Sequence, residues 1–164
     1  MDRAELESAF ADFQAAVADI AADGDWGRFA DLFTQDAEYV EHAYGTFRGR
    51  DEIRPWIIKT MTTFPGSDMV GFPVAWSVLD PELGRVVCEI RNLMRDPGDG
   101  SVHEASNITI LDYAGGGLWR REEDVYNPQK FLDLTRTWGR VAREHGTLGE
   151  DGLEMLAALE KMPR

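Results

Sequence analysis

The chain has a single cysteine, Cys88, among its 164 residues. An intramolecular disulfide is therefore impossible, and nothing in the composition requires an oxidising compartment. Long apolar runs are also missing, since every apolar stretch is far shorter than the roughly 20 residues that cross a membrane as a helix. The first residues are charged and amphipathic and lack the apolar core of a signal peptide. We therefore predict a cytoplasmic protein with no membrane partner.

Basic residues are scarce. The chain carries 17 Lys and Arg against 30 Asp and Glu, a formal net charge of −13. A surface that follows phosphates needs clustered positive charge. The tightest basic cluster here, Arg120 and Arg121, is followed at once by the three acids of residues 122–124. We therefore predict no nucleic-acid partner.

Several motifs that define common mechanisms are absent. The sequence has no glycine-rich phosphate loop, no nucleophile elbow and neither an HExxH nor a CxxC spacing. Nucleotide chemistry, serine-triad chemistry and zinc chemistry thus lack their usual residues. The prediction that follows is a protein with no cofactor and no metal ion.

Hydrophobic periodicity is clear along most of the chain. Apolar residues recur at every third or fourth position in residues 3–22, 26–33 and 51–64, which predicts three helices, with one strand over residues 37–43. After residue 69 the period changes to two, which predicts strands bounded by turns of glycine and proline. These strands cover residues 70–78, 85–95, 102–113 and 118–126, and another helix begins at Pro128. Strands in hairpins with helices grouped at both ends indicate an α+β fold.

Two stretches resemble the SnoaL-like branch of the nuclear transport factor 2 superfamily. Residues 24–26, 32–39 and 49–51, which read GDW, LFTQDAEY and GRD, resemble the family's opening signature, and the later GGL, YNP and Phe131 resemble its ending. The resemblance implies a cone-shaped, curved antiparallel sheet wrapped around the N-terminal helices, with a central pocket. It covers roughly residues 6–134. By analogy with relatives, it also implies a homodimer.

The last residues differ from the rest. We expect residues 1–145 to form the cone domain, and residues 146–164 to form a linker with a short helix. Leu153, Leu156 and Leu159 give that helix an apolar stripe. It belongs either to the same domain or to a dimer or lid element.

The first predicted strand carries the leading catalytic candidates. Tyr39 and Glu41 share one face of it, and Val40 and His42 share the other. Residue type alone does not say which face is inside. Counted without gaps from Trp26, Glu41 takes the place of the catalytic carboxylate of ketosteroid isomerases, and one extra residue in the turn gives that place to His42. Tyr39 and Glu41 also match the water-binding Tyr and Asn of limonene epoxide hydrolases. We favour Glu41.

The last strand carries a second carboxylate candidate. Counting back from the YNP ending puts Asp124 where limonene epoxide hydrolases have a catalytic Asp, whereas counting forward from the glycine turn favours Glu123. The extra glycine in that turn favours Asp124. A carboxylate in an apolar cone has a raised pKa because burial disfavours its charged form, and this suits a general base or acid.

Four further residues are candidates for contact with a substrate. Asn92 is the polar member of an apolar stripe, so it needs hydrogen-bond partners whether it binds a ligand or serves the core. Asn107 resembles the substrate-binding Asn of scytalone dehydratases. Trp26 and Trp56 are aromatic candidates for the lining of the cone, although such residues are more often core.

Each known active site of the superfamily is present only in part. The Arg and one Asp of limonene epoxide hydrolases are replaced by Ile90 and Asn92, and the oxyanion Tyr of ketosteroid isomerases is matched by Val17. Met69 and Met94 stand near the paired His positions of scytalone dehydratases.

The resulting prediction is a cofactor-independent acid–base enzyme of isomerase, dehydratase or cyclase type. Its substrate would be a hydrophobic small molecule such as a steroid, terpenoid or polyketide. The first alternative is a non-catalytic module for small-molecule binding or dimerisation. The second is an epoxide hydrolase with an altered water site.

Overall fold

Residues 2–162 are described by a computed structural model. Helix α1, Arg3–Asp23, begins at Asp2, whose carboxylate accepts a hydrogen bond from the Ala4 amide, and it ends at Gly24. Gly24 has a φ of 76°, a left-handed conformation that glycine adopts without steric cost. A 3₁₀ segment, Trp26–Leu32, leads from there into the sheet.

The other elements follow the order that the apolar periodicity predicts. Strand β1 is Phe33–Glu41, β2 is Gly45–Arg48 and helix α2 is Arg50–Thr62. The strands β3 to β7 are Met69–Gly71, Val74–Asp80, Arg85–Met94, Glu104–Gly115 and Leu118–Val125. Helices α3, Pro128–Glu144, and α4, Glu150–Lys161, close the described chain. None of the helices in residues 2–162 has the length and apolar character needed to cross a membrane.

The strands form one open, mixed sheet in the order β2-β1-β7-β6-β5-β3, and β4 also pairs with β5. All neighbours are antiparallel except β1 and β7, which run parallel. Register shifts occur in the β1–β7 pair, and in the β6–β7 pair after Asp112. Such shifts mark bulges, which bend strands and increase their twist. The α+β prediction is confirmed.

The main core lies between α1, α2 and the inner face of the sheet. Phe13 of α1 is central to it, because its ring meets Trp119 of β7 edge-on at 5.6 Å and Phe33 of β1 at 6.4 Å. Burying a large apolar side chain stabilises a fold by roughly 1.5–3 kcal/mol, and aromatic pairs add to that. These contacts fix the helices over the sheet.

A second core joins the C-terminal helices to the far end of the sheet. Trp138 of α3 is fully buried against Phe64, and its indole N–H donates to the Arg95 carbonyl at 2.8 Å. Leu156 of α4 is also fully buried in this cluster. Helix α4 is therefore packed on α3 and contributes to its core.

The strands differ from the sequence predictions at three places. The strand predicted over residues 37–43 begins earlier, at Phe33, and ends at Glu41. The predicted strand over residues 70–78 is divided into β3 and β4 around Pro73, whose ring nitrogen has no hydrogen to donate to a neighbouring strand. Residues 45–48, for which the sequence predicts no strand, form β2 and pair with β1. A four-residue strand is too short to show a period of its own.

Candidate functional site

Strand register brings three carboxyl groups to the inner face of the sheet. In the parallel β1–β7 pair Tyr39 lies opposite Glu122, and Glu41 lies opposite Asp124. On the other side of β7, Thr109 of β6 lies opposite Asp124. Directly paired residues place their side chains on the same face of a sheet, about 5 Å apart. Tyr39, Glu41, Glu122 and Asp124 therefore form one polar row in an otherwise apolar interior.

Asp124 is held by three neutral donors. Its Oδ2 accepts from the Tyr39 hydroxyl at 2.5 Å, and its Oδ1 accepts from the Thr109 hydroxyl at 2.5 Å and the Asn107 amide at 2.8 Å. Part of the residue remains accessible. Burial raises the pKa of Asp124, and the Glu41 charge acts in the same direction, whereas the hydrogen bonds from Thr109, Tyr39 and Asn107 oppose the rise.

Asn92 and Asn107 belong to a chain of amides that ends at this carboxylate. The Asn92 amide donates to the Ala105 carbonyl at 3.1 Å and to Asn107 Oδ1 at 2.7 Å. Asn107 in turn donates to Thr109 Oγ1 at 2.8 Å as well as to Asp124. Both N–H bonds of each amide are thereby used. Asn92 and Asn107, predicted from the sequence to contact a substrate, thus orient amide donors toward Asp124 in the structure.

Glu41 has a different environment from Asp124. Its Oε2 accepts from the amides of Ala43 and Tyr44, both at 2.7 Å, and its Oε1 accepts from the Tyr126 hydroxyl. Glu41 is 6% exposed. The carboxylate therefore closes the turn between β1 and β2 and holds Tyr126 at the end of β7. Burial raises the pKa of the Tyr126 hydroxyl, and the hydrogen bond to Glu41 adds to the rise.

Glu122 is the most isolated of the three carboxyl groups. It is 4% exposed, its Oε1 lies 3.3 Å from the Tyr39 hydroxyl, and its Oε2 has no hydrogen-bond partner among residues 2–162. Burial raises the pKa of Glu122 well above its ordinary value, and the nearby Asp124 charge adds to this. A buried carboxyl group without partners is stable only in its protonated form.

No positive charge within residues 2–162 is paired with these acids. In the described part of the chain, every ion pair of a Lys, Arg or His uses a carboxylate other than Glu41, Glu122 and Asp124. Nor do residues 2–162 contain three His, Cys, Asp or Glu side chains arranged to hold a metal ion. Two ionised carboxylates within reach of one hydroxyl group repel each other strongly in an apolar interior. This environment raises the pKa of both Glu122 and Asp124.

The two competing candidates lie on the outer face of the sheet. His42 Nε2 is 2.9 Å from Glu123 Oε1, and Arg121 donates to the other oxygen of Glu123 at 2.6 Å. These contacts lower the pKa of Glu123, with His42 making the largest contribution. The structure thus separates His42 and Glu123 from the inner row that contains Glu41 and Asp124.

The two tryptophan candidates differ in their contacts. Trp26 is buried in the core, with its ring edge-on to Phe72 at 5.6 Å. The Trp56 ring lies 4.7 Å from Tyr39 and stacks on Phe47 at 4.5 Å. Its indole N–H is buried and has no hydrogen-bond partner among residues 2–162. Trp56 is therefore beside the polar row and retains an unused donor.

Sequence reasoning missed Glu122, Thr109 and Tyr126. A signal for Glu122 existed, because alternation along β7 places it on the same face as Asp124. Thr109 is similarly two residues from Asn107 on β6. Tyr126 is the last residue of the strand predicted over residues 118–126, and alternation places it on the face of Asp124 as well.

Two surface depressions lie away from the polar row. One, of about 260 Å³, runs between α1 and the strands β3 and β4, beside Val17 and Val74. The other, of about 330 Å³, follows α3 beside Arg136 and Arg140. Neither is lined by Glu41, Glu122 or Asp124. A ligand at the polar row would have to enter by another route.

Comparison with known proteins identifies a family for most of the chain. The sequence model of the SnoaL-like domain family matches residues 2–117. That range includes Tyr39, Glu41, Asn92 and Asn107 and ends before β7, which carries Glu122 and Asp124. No curated protein matches the chain in sequence.

Solved structures share the fold at low sequence identity. A protein of Catenulispora acidiphila with a ketosteroid isomerase-like fold, solved in complex with trimethylamine, superposes with a TM-score of 0.59 at 21% identity, over 74% of this chain and 90% of that one. A Bacillus subtilis protein proposed to be an isomerase has a TM-score of 0.61 at 15% identity, over 82% and 95%. TerC, co-crystallised with polyporic acid, has a TM-score of 0.58 at 16% identity, over 79% and 97%.

Proposed function

Because the chain belongs to the SnoaL-like domain family, we propose that it is a cofactor-independent acid–base enzyme that acts on a hydrophobic small molecule. The reaction would be of isomerase, dehydratase or cyclase type, and the substrate would be a steroid, a terpenoid or a polyketide. Asp124 would be the group that takes a proton from the substrate.

The environment of Asp124 is the observation that carries this proposal. Its carboxylate is bound only by neutral donors, from Tyr39, Thr109 and Asn107, and no cation is paired with it in residues 2–162. A neighbouring Arg or Lys would lower its pKa and weaken it as a base. Burial instead raises the pKa of Asp124 toward neutrality, where a general base is most effective. Asp124 is half-buried, and the proposal places the ligand on its accessible side.

Two further groups have roles in this proposal. The Trp56 indole N–H would donate to an oxygen of the substrate, which satisfies a buried donor that has no partner among residues 2–162. Glu41 would keep Tyr126 and the turn between β1 and β2 in place, because its carboxylate accepts hydrogen bonds from the Ala43 and Tyr44 amides of that turn and from the Tyr126 hydroxyl. Glu41, the leading candidate from the sequence, thereby becomes a support for Asp124.

The apolar surroundings favour an apolar ligand. The Tyr39 ring, which bears the hydroxyl bound to Asp124, contacts Phe29, Phe33 and Trp56 with ring centroids 4.7–6.2 Å apart. The solved complexes with trimethylamine and polyporic acid support the idea that this fold accommodates small molecules.

The same aromatic packing favours a second candidate function, a non-catalytic binding module. Rings that fill the space beside Tyr39 leave less room for a substrate, and both described depressions lie elsewhere on the surface. In this case the protein would bind an apolar ligand or a second copy of itself without chemistry. The two functions differ in whether Asp124 moves a proton.

Hydrogen–deuterium exchange into a substrate distinguishes them. The full chain would be incubated in deuterated water with a panel of cyclic ketones of steroid, terpenoid and polyketide type, and deuterium at the carbon next to each carbonyl would be followed by NMR. The proposal predicts exchange that Asp124→Asn slows by about 100- to 10,000-fold, the usual contribution of a general base. Glu123→Gln is the matched control, because it removes a neighbouring carboxylate from the outer face.

The two candidate functions predict different results in this experiment. Full exchange activity in Asp124→Asn would refute the role of that residue. Ligands that raise the melting temperature but show no exchange with the unaltered protein would establish the binding module instead.

A further inference from the structure

Glu122 and Asp124 share one hydrogen-bond donor, the Tyr39 hydroxyl. That hydroxyl carries a single proton, and its oxygen lies 2.5 Å from Asp124 Oδ2 and 3.3 Å from Glu122 Oε1. If both carboxyl groups were ionised, they would compete for this proton. Both contacts are satisfied together only if one carboxyl group carries a proton and donates it to the tyrosine oxygen.

The contacts of the two acids decide which one carries the proton. Asp124 accepts hydrogen bonds from Thr109 and Asn107 in addition to Tyr39, and these donors stabilise a negative charge. Glu122 has only the long contact to Tyr39, and its second oxygen is buried without a partner among residues 2–162. Glu122 is therefore the protonated member and Asp124 the ionised one.

The groups around the pair do not alter this assignment. The titratable side chains that face it are Tyr39 and Glu41 on β1, Cys88 on β5 and Tyr126 at the end of β7. Cys88 is neutral at physiological pH, since burial raises the pKa of its thiol to about 12. Glu41 is the other acid, and its charge is spread over three donors at the turn. The helices packed over this face contribute aromatic rings such as Phe13 and Trp56.

We propose that Glu122 is a positioning residue, whose retained proton is donated to the Tyr39 oxygen and so directs the Tyr39 hydroxyl to Asp124. When Glu122 loses that proton at alkaline pH, Tyr39 is shared between two carboxylates and Asp124 acquires a negative neighbour. Asp124 then loses the Tyr39 hydroxyl as its own donor and gains a charged neighbour, so the arrangement in which it acts as the base is lost. This inference deepens the proposed function and rests on it, because Asp124 is the base there.

A titration that needs no substrate tests the inference. The full chain would be prepared with uniform carbon and nitrogen labels, each Asp and Glu carboxyl resonance would be assigned through its own backbone in the unaltered protein, and each would be followed by NMR as pH rises. We expect the Glu122 proton affinity to exceed that of Glu123, which is half-buried on the outer face, by at least about 100-fold, as is typical of buried acids. The Asp124 resonance should be that of an ionised carboxylate at neutral pH and should shift again when Glu122 ionises.

The variants supply the comparison. Glu122→Gln keeps a neutral donor beside Tyr39, so the alkaline shift of Asp124 should disappear while its behaviour at neutral pH is unchanged. Tyr39→Phe should weaken the alkaline shift because the connecting hydroxyl is gone. An ionised Glu122 at neutral pH, or an alkaline shift of Asp124 that persists in Glu122→Gln, would overturn the inference. The comparison of Glu122 with Glu123 in the unaltered chain decides the matter even if a variant does not fold.

Activity then separates the inference from the function it rests on. If Asp124→Asn abolishes exchange but Glu122 is ionised at neutral pH, only the positioning role fails. If Glu122 is protonated but no ketone exchanges, the arrangement of the pair stands and the enzymatic proposal fails.

Discussion

Tyr39 lies directly opposite Glu122 in the parallel β1–β7 pair, and its hydroxyl oxygen is nearer to Asp124, at 2.5 Å, than to its own cross-strand partner, at 3.3 Å. The tyrosine thus joins two acids that are two residues apart on one strand. One is partly accessible and surrounded by donors, and the other is buried and almost without partners. That difference underlies the first of four predictions.

Glu122→Gln should stabilise the protein increasingly as pH rises. The folded-state pKa of Glu122 is raised above its unfolded value near 4.5, so on unfolding the residue releases a proton at any pH between the two. Its contribution to stability is fully present below the unfolded pKa and is lost as pH rises through the folded pKa, by about 1.4 kcal/mol per pH unit in that window. Glutamine has no such dependence.

Urea unfolding of both proteins at a series of pH values checks this. The difference in unfolding free energy between Glu122→Gln and the unaltered chain should be small near pH 4.5, the pKa of Glu122 in the unfolded chain, and should widen toward neutrality. The neighbouring substitution Glu123→Gln should show no widening gain, because the pKa of Glu123 is lowered by His42 and Arg121. If the unfolding free energies of Glu122→Gln and of the unaltered chain changed in parallel with pH, Glu122 would be ionised in the folded protein.

Asn107→Ala should be more costly than Asn92→Ala. Loss of Asn107 removes a hydrogen-bond donor from Asp124 and leaves the Asn92 amide without one of its acceptors. Loss of Asn92 removes only the end of this hydrogen-bonded series of amides that is farther from Asp124. A group left unsatisfied in the interior costs about 1–3 kcal/mol. Thermal unfolding at neutral pH measures both variants. Equal losses would show that the chain of amides does not act on Asp124.

The Cys88 thiol should be unreactive in the folded protein. It is fully buried, and burial raises its pKa to about 12, so almost none of the reactive thiolate is present at neutral pH. Labelling with a thiol reagent should proceed only as fast as the protein unfolds, and complete labelling in urea is the control. Rapid labelling without denaturant would show that this part of the inner face opens to solvent.

Leu156→Ala should destabilise the whole domain. Leu156 is fully buried and packs against Gly139 of α3, where its side chain lies 3.4 Å from the position that a Cβ would occupy. Removing such a side chain costs about 2–5 kcal/mol. Leu153→Ala is the matched control, since Leu153 is 44% exposed on the same helix. A single unfolding transition lowered only by Leu156→Ala would show that α4 belongs to the cooperative unit of the cone, which the sequence left open.

Much of the fold was predictable because apolar periodicity is local. The helices and most strands follow from spacing alone, and the strand that was divided had a visible cause in Pro73. Alternation also limited the choices within the site, since Tyr39 and Glu41 had to share one face and His42 the other. Residue type could not say which face was inside, and the resemblance to relatives supplied that preference.

The remaining parts of the site depend on register between strands distant in sequence. The contact of Asn92 with Asn107 requires Asn92 to pair with Ala105, and the sharing of Tyr39 requires β1 and β7 to run side by side in parallel. No local pattern specifies either pairing. The acids at residues 122–124 have the composition of a solvated run, so the burial of Glu122 emerges only when the sheet is assembled.

The position of one proton is the central claim, and neutron diffraction from a deuterium-exchanged crystal at neutral pH locates it. The account predicts deuterium on Glu122 Oε1 directed at the Tyr39 oxygen, deuterium on the Tyr39 hydroxyl directed at Asp124, and none on the Asp124 carboxylate. Deuterium on Asp124 with a bare Glu122 would contradict it.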